Sequence, residues 1–205
     1  MNYRDIQKEE SKTWLLEDKK IFEDKKQREI IRYPLLKKQM GLNHLDTSNM
    51  VVFDVGAGPF GGVSSVLRCK DIYRFDPLKD DYGTIADVST YLDLKAEDIN
   101  YSEADLVIST NAIDHFEDPG SFFIQLIGTM KSGAYFAHFH AINNAITHRH
   151  KAHVHNINPE KVRQFLQDDF ELCWEMNYQD DGLTYAWRKQ PAFAQLWRKV
   201  TGYNK

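Results

Sequence analysis

Val51-Val52-Phe53-Asp54-Val55-Gly56-Ala57-Gly58-Pro59-Phe60-Gly61-Gly62 runs from apolar, β-branched residues into a cluster of glycines. The first five residues read as a buried strand. The glycines read as a sharp turn whose backbone must come close to something a β-carbon would repel. A helix is expected after it. The spacing Gly56-x-Gly58-x-x-Gly61 fits the strand–turn–helix fingerprint of nucleotide-binding domains, although glycines also gather in turns that hold no ligand. Asp76 strengthens the pattern. It ends the next strand-like run, Ile72-Tyr73-Arg74-Phe75, about 20 residues beyond the glycines, where a carboxylate can accept hydrogen bonds from ribose hydroxyls. Taken alone, Asp76-Pro77 also reads as a simple turn start.

Outward from this unit, short apolar runs alternate with helical stretches. Strands are expected at 105–108 and 134–137, with a helix from Pro119 to Met130 between them that carries Phe122, Phe123, Leu126 and Ile127 at helical spacing. Asn158-Pro159-Glu160 reads as a helix start, with Asn158 as cap and Pro159 in the first turn. Further strands are expected at Phe170–Trp174 and Leu183–Trp187. The alternation predicts an α/β fold: a Rossmann-like, mostly parallel sheet with helices on both faces. Only 28 residues separate Asp76 from Asp105, so the helix between the second and third strands must be short or missing.

The 205 residues suffice for one such domain with an appendage. With 42% hydrophobic and 27% charged residues the composition is that of a soluble globular protein, and a formal charge of −4 argues against wholesale nucleic-acid or anionic-membrane binding. No apolar run approaches the roughly 18 residues of a membrane span, the first residues are polar, and Cys69 and Cys173 lack metal-ligand spacing. A reducing, cytoplasmic setting is expected. Homo-oligomerisation is left open.

Residues 1–40 hold eleven Lys/Arg and eight Asp/Glu in short blocks, with Trp14, Leu15, Ile21 and Phe22 near helical spacing. They read as one or two solvated helices with a narrow apolar stripe, interrupted at Pro34. This N-terminal helical extension, residues 1–46, either packs against the domain at 47–205 or forms a lid, with Trp14 and Tyr33 as its candidate walls.

A nicotinamide reductase would need a Tyr-x-x-x-Lys pair after the fourth strand. Tyr91/Lys95 and Tyr33/Lys37 have the spacing but lie too early in the chain. Four segments in order give a more specific match: Phe53-Asp54-Val55-Gly56-Ala57-Gly58-Pro59, Phe75-Asp76-Pro77-Leu78, the stretch Ala104-Asp105-Leu106-Val107-Ile108-Ser109-Thr110-Asn111-Ala112-Ile113-Asp114-His115, and Met130-Lys131-Ser132-Gly133. Together they resemble class I S-adenosylmethionine-dependent methyltransferases, most closely the small type 11 group, and His155-Asn156-Ile157-Asn158-Pro159-Glu160 extends the likeness over about residues 50–188. The resemblance implies S-adenosyl-L-methionine as cofactor. It implies that Gly56, Ala57 and Gly58 pass beneath the methionine moiety, that Asp54 steadies that loop, and that Asp76 binds the ribose. Ala96 and Glu97 would flank the adenine, and Asn111 would lie beside the sulfonium. Lys95 departs from the pattern, standing where the family often has an adenine-contacting Asp, and Ser132 replaces a usual Pro.

Methyl transfer to an alcohol calls for a general base, and histidine suits neutral pH. His115, just beyond the fourth strand, and His140, near the end of the fifth, are the candidate bases. Asp114 is a candidate to orient an imidazole or hold the acceptor, and His155 to touch substrate or anchor a loop. The acceptor is expected to be a small-molecule or glycan hydroxyl, with amine or carboxylate as alternatives. Six of eight histidines fall between His138 and His155. His148-x-His150-x-x-His153 has the spacing of a hydrolase metal motif but lacks that motif's Asp, and Arg149 and Lys151 would repel a cation. It reads as a solvated acceptor wall, with no metal expected. A catalytically silent partner subunit and a metal-dependent hydrolase are the rival functions.

Overall fold

The computed structural model describes residues 3–14, 19–83, 86–141, 155–178 and 192–200. Seven strands, β1 (Val51–Val55), β2 (Asp71–Phe75), β3 (Tyr91–Leu92), β4 (Leu106–Thr110), β5 (Tyr135–Ala141), β6 (Phe170–Tyr178) and β7 (Ala192–Lys199), form one sheet in the order β3-β2-β1-β4-β5-β7-β6. Neighbours pair in parallel except β7, which runs antiparallel to both β5 and β6. The chain leaves β1 toward β2 on one side and returns to β4 on the other. The crevice beyond the carboxyl ends of β1 and β4 is thus the switch point where open α/β sheets take ligands.

Alternation along the strands sends side chains to two cores. On one face Phe53, Val107, Phe136, Phe193 and Trp197 meet α4 (Pro119–Thr129) and α5 (Pro159–Leu166) through Phe122, Phe123, Leu126, Val162 and Leu166. Both helices start as the sequence predicts. Asp118 caps α4, accepting from the Gly120 amide at 2.9 Å, and Asn158 caps α5, accepting from the Lys161 amide at 2.9 Å. On the other face Val52, Leu106, Ile108, Ala137 and Phe139 pack with Tyr33, Leu36 and Met40.

Tyr33 and Leu36 belong to α2 (Lys19–Gln39), which follows α1 (Tyr3–Trp14), and Met40 comes just after its last residue. The charged arm thus forms two helices, and the second is one of the layers of the domain. Pro34 does not interrupt it. A proline inside a helix costs about 3 kcal/mol, and burial of side chains such as Leu36 and Met40, about 1.5–3 kcal/mol each, outweighs that.

The helix expected after the glycine loop is instead a single 3₁₀ turn, Val63–Val66. Gly61 and Gly62 both have positive φ, +77° and +53°, and the Ser64 and Ser65 hydroxyls donate back to their carbonyls at 2.9 and 2.8 Å. This winding uses up the connection to β2. Val63 shares its core with Leu36 of α2 and with Met40 just beyond it, so the N-terminal helix covers sheet surface that a helix after the loop would have taken. Among the described residues between β2 and β3, the helix present is α3, Lys79–Tyr82, short as the spacing predicts.

The strand read at Phe170–Trp174 extends to Tyr178 as β6. The one read at Leu183–Trp187 lies outside the described residues, and β7 at Ala192–Lys199 was not anticipated. Among the described residues, no helix is long and apolar enough to cross a membrane.

Candidate active site

A cavity of about 270 Å³ opens at the switch point. Its floor is the loop Gly56, Ala57, Gly58. Gly56 has φ +71°, and a β-carbon there would lie 2.3 Å from that of Ala112, so the β1 and β4 loops touch only because residue 56 is glycine. Gly58 differs: φ is +62°, yet a β-carbon would meet nothing within 4 Å. It lines the cavity.

Asp76 lines the cavity at the end of β2 and holds the loop in place. One carboxylate oxygen accepts from the Gly58 amide and the other from the Leu78 amide, each at 2.9 Å. The Tyr91 hydroxyl donates to the Gly58 carbonyl at 3.0 Å. Asp54 lies below the loop, fully buried. Its Oδ2 accepts from the Ser64 amide at 3.3 Å, and its Oδ1 has no hydrogen-bond partner among the described residues. Burial outweighs those amide and hydroxyl contacts and pushes its pKa up to about 6.

The opposite wall comes from β4 and the turn after it. Asn111, Ala112 and His115 line the cavity. Asn111 takes φ +54°, and its amide donates to the Phe139 carbonyl at 2.7 Å, which fixes the loop to β5. Asp114 is wholly buried behind His115. Its oxygens lie 3.5 Å from His115 Nε2 and 3.9 Å from His140 Nε2, ion-pair rather than hydrogen-bond distances. His115 therefore stands at the wall, and His140 stands behind Asp114 and does not line the cavity. His155 Nε2 pairs with the Phe116 carbonyl at 3.0 Å, and its amide donates to the Asp114 carbonyl, tying down the turn that carries His115. His138 shares the His140 face of β5. Its Nε2 meets Gln195 Oε1 at 3.0 Å, and burial lowers its pKa to about 3, which keeps it neutral.

Ala96 lines the cavity; Glu97 faces away and accepts from the Asp118 amide at 2.8 Å. Lys95 pairs with Glu117 at 2.5 Å and lies 4.5 Å from the ring centre of Tyr3. The position that departs from the family pattern thus holds the first residue of α1 over the cavity mouth. The arm supplies Tyr3, Gln7, Arg28, Glu29, Arg32 and Tyr33 to the wall. Tyr33 was expected there; the side chain of Trp14 lies outside the described residues. The charged members were not anticipated, because the spacing of Arg28, Glu29 and Arg32 reads equally as a solvated helix face. Histidines 148, 150 and 153 also lie outside the described residues. Among those described, no three His, Cys, Asp or Glu residues form a metal-binding group.

No protein-family model and no curated protein matches the chain. Solved structures do. The N-methyltransferase NodS from Bradyrhizobium japonicum WM9 superposes with a TM-score of 0.62 at 16% identity, over 85% of this chain and 97% of that one. NodS in complex with S-adenosyl-L-homocysteine gives 0.59 at 12% identity over 92% of both chains. An S-adenosylmethionine-dependent methyltransferase from Methanosarcina mazei gives 0.60 at 14%, over 78% and 96%. The [4+2]-cyclase SpnF gives 0.62 at 12%, over 83% and 80%. At such identities the likeness establishes the fold, Rossmann-like and of the class I methyltransferase type. The cyclase on the same scaffold means that chemistry must be argued from the site.

Proposed function

We propose that this chain is an S-adenosyl-L-methionine-dependent methyltransferase that methylates a hydroxyl of a small molecule or glycan, with His115 as general base. The observation that carries the proposal is one cavity holding the glycine loop, the Asp76 carboxylate and, on its far wall, Asn111 and His115. The residues fit the cofactor. Gly58 offers an open cradle where a β-carbon would stand, and the partnerless Oδ1 of Asp54 is a buried acceptor beneath the loop, suited to a water bridging to an amino group.

In this assignment Gly56, Ala57 and Gly58 underlie the methionine moiety, Asp76 accepts from the ribose, Ala96 borders the adenine, and Asn111 flanks the sulfur. The bound cofactor supplies a methyl carbon on a positively charged sulfur, open to in-line displacement. His115 would take the proton of the acceptor hydroxyl as that oxygen is methylated. Asp114, whose Oδ1 lies 3.5 Å from His115 Nε2, would stabilise the imidazolium that forms. The arm excludes water from the transfer. His155 serves as an anchor of the His115 turn. A reducing, cytoplasmic setting and a small-molecule acceptor belong to the same proposal.

The test is transfer of labelled methyl to a panel of hydroxyl acceptors. His115→Asn should lose about 10²–10⁴-fold in turnover while binding S-adenosylhomocysteine normally. Full turnover in His115→Asn would remove the base and shift the assignment to an amine or carboxylate acceptor, for which positioning suffices.

A further inference from the structure

We propose that a second cavity, beside the glycine loop on the α2 side, binds a phosphate group through Arg74 of β2 and Lys26 of α2. The site is separate from the one assigned to the cofactor, and the proposal does not rest on the methyltransferase reading.

The cavity, about 270 Å³, lies between α2, residues Pro59–Gly61 and the stretch that leads into β3. Register sets Arg74 of β2 between Asp54 of β1 and Tyr91 of β3. Strand alternation turns this row to the face of Val52 and Ile72, which α2 covers. The guanidinium of Arg74 is fixed along one edge. Its Nε donates to Ser64 Oγ at 3.2 Å, and its Cζ stands 5.8 Å from the ring centre of Tyr91. Gly61 lies against it: a β-carbon there would stand 3.0 Å from Nε and 3.5 Å from Nη2.

The other edge of the fork is unengaged. Neither Nη group of Arg74 donates to an acceptor among the described residues, and neither does the ammonium of Lys26. Asp54, the register neighbour, does not take up the guanidinium. Its Oδ2 accepts from the Ser64 amide, and its Oδ1 has no hydrogen-bond partner among the described residues. Burial holds that carboxyl up at about 6 in spite of the arginine, so Arg74 is not its counter-ion at close range. Among the described residues of the lining, Asp87 is the one carboxylate; it is exposed and accepts from the Ser89 amide at 3.1 Å. Two cations thus face one anion. A half-buried guanidinium with unengaged donors costs stability that an apolar side chain in its place would not. Its planar fork matches phosphate oxygens in pairs, and Lys26 adds a compact charge from a second element. Thr90 brings a hydroxyl to the same lining. Ile30, Pro59, Phe60 and Ala86 make the rest of the wall apolar, which suits the carbon body of a phosphate monoester better than a bare ion.

The experiment titrates the full chain calorimetrically, at low ionic strength and without cofactor, with phenyl phosphate, inorganic phosphate and benzoate. Phenyl phosphate should bind at one site per chain and more tightly than benzoate. Arg74→Gln and Lys26→Gln should each weaken it about ten- to a hundredfold, with an unchanged circular dichroism spectrum as proof of folding. Should Arg74→Gln fail to fold, Lys26→Gln decides. Phenyl phosphate ahead of inorganic phosphate assigns an ester, and equal affinity assigns the free ion; either supports the site. Binding should persist when the chain is saturated with S-adenosylhomocysteine, because the two ligands occupy different cavities. The proposal is overturned if neither phosphate binds, if benzoate matches them, if the folded variants bind as the wild type does, or if S-adenosylhomocysteine displaces the anion. Failure of S-adenosylhomocysteine itself to bind would overturn the methyltransferase reading and leave this site to be judged by the other arms.

Discussion

Gly56 and Gly58 share a left-handed backbone but should answer the same substitution differently. Alanine at either position pays about 1–2 kcal/mol for a β-carbon at positive φ. At 58 the cost ends there, because the new methyl meets nothing within 4 Å. At 56 it would stand 2.3 Å from the Ala112 methyl carbon, far inside the 3.5–4.0 Å at which carbons rest. Relieving that overlap adds about 1–3 kcal/mol, so Gly56→Ala should lose about 2–5 kcal/mol in total. Urea unfolding followed by circular dichroism measures both variants against the wild type. Adding Ala112→Gly to Gly56→Ala should recover the overlap component, a coupling of about 1–3 kcal/mol, and should do nothing for Gly58→Ala. Ligand binding should rank them the other way: Gly58→Ala places its methyl in the cavity and should weaken S-adenosylhomocysteine while losing only the about 1–2 kcal/mol of its positive φ. Equal stability losses at the two positions, or no coupling between 56 and 112, would refute the close approach of the β1 and β4 loops.

Two buried groups give stability a pH dependence of opposite sign. His138, with its pKa lowered from 6.5 to about 3, adds stability that is complete above pH 6.5 and is lost as pH falls toward 3. The stability difference between wild type and His138→Gln should therefore shrink on acidification, by up to about 5 kcal/mol. Asp54, raised from 3.8 to about 6, costs nothing below pH 3.8 and progressively more as pH rises to about 6. The difference between wild type and Asp54→Asn should shift against the wild type by about 3 kcal/mol over that window. Unfolding titrations in a pH series check both, and parallel curves for variant and wild type would contradict either. Lys95→Ala removes the cation above Tyr3, an interaction of about 0.5–1 kcal/mol; hydrogen exchange should quicken in α1 while the melting temperature hardly moves, and unchanged exchange would show that Lys95 does not hold the arm.

The middle of the sheet was legible because β1 and β4 are buried along almost their whole length, so that Val51–Val55 and Leu106–Ile108 read as strands without alternation. α4 was legible from the helical spacing of Phe122, Phe123, Leu126 and Ile127, and α5 from its cap Asn158 followed by proline. What misled was competition between distant segments. The turn at Val63–Val66 is not a helix because α2, some thirty residues earlier in the chain, already covers that part of the sheet, and nothing near Val63 reports this. Pro34 fails as a breaker for the related reason that Leu36 and Met40 anchor the far side of the helix. At the site, Gly56 and Asp76 could be read because a glycine turn and an acidic strand end are local signals, whereas Asn111 came from the family resemblance alone. Arg28, Glu29 and Arg32 could not: a charged triplet on a helix looks the same whether it faces water or a cavity. His115 and His140 were both candidate bases in sequence, with His115 the better placed, and of the two His115 lines the cavity while His140 is buried behind Asp114.

Calorimetric titration of the purified chain with S-adenosylhomocysteine tests the central claim most directly. Saturable binding at one site per chain is expected, weakened at least about tenfold by Asp76→Ala through the loss of charged hydrogen bonds to the ribose. No heat at any ligand concentration, from protein whose circular dichroism shows it folded, would contradict it.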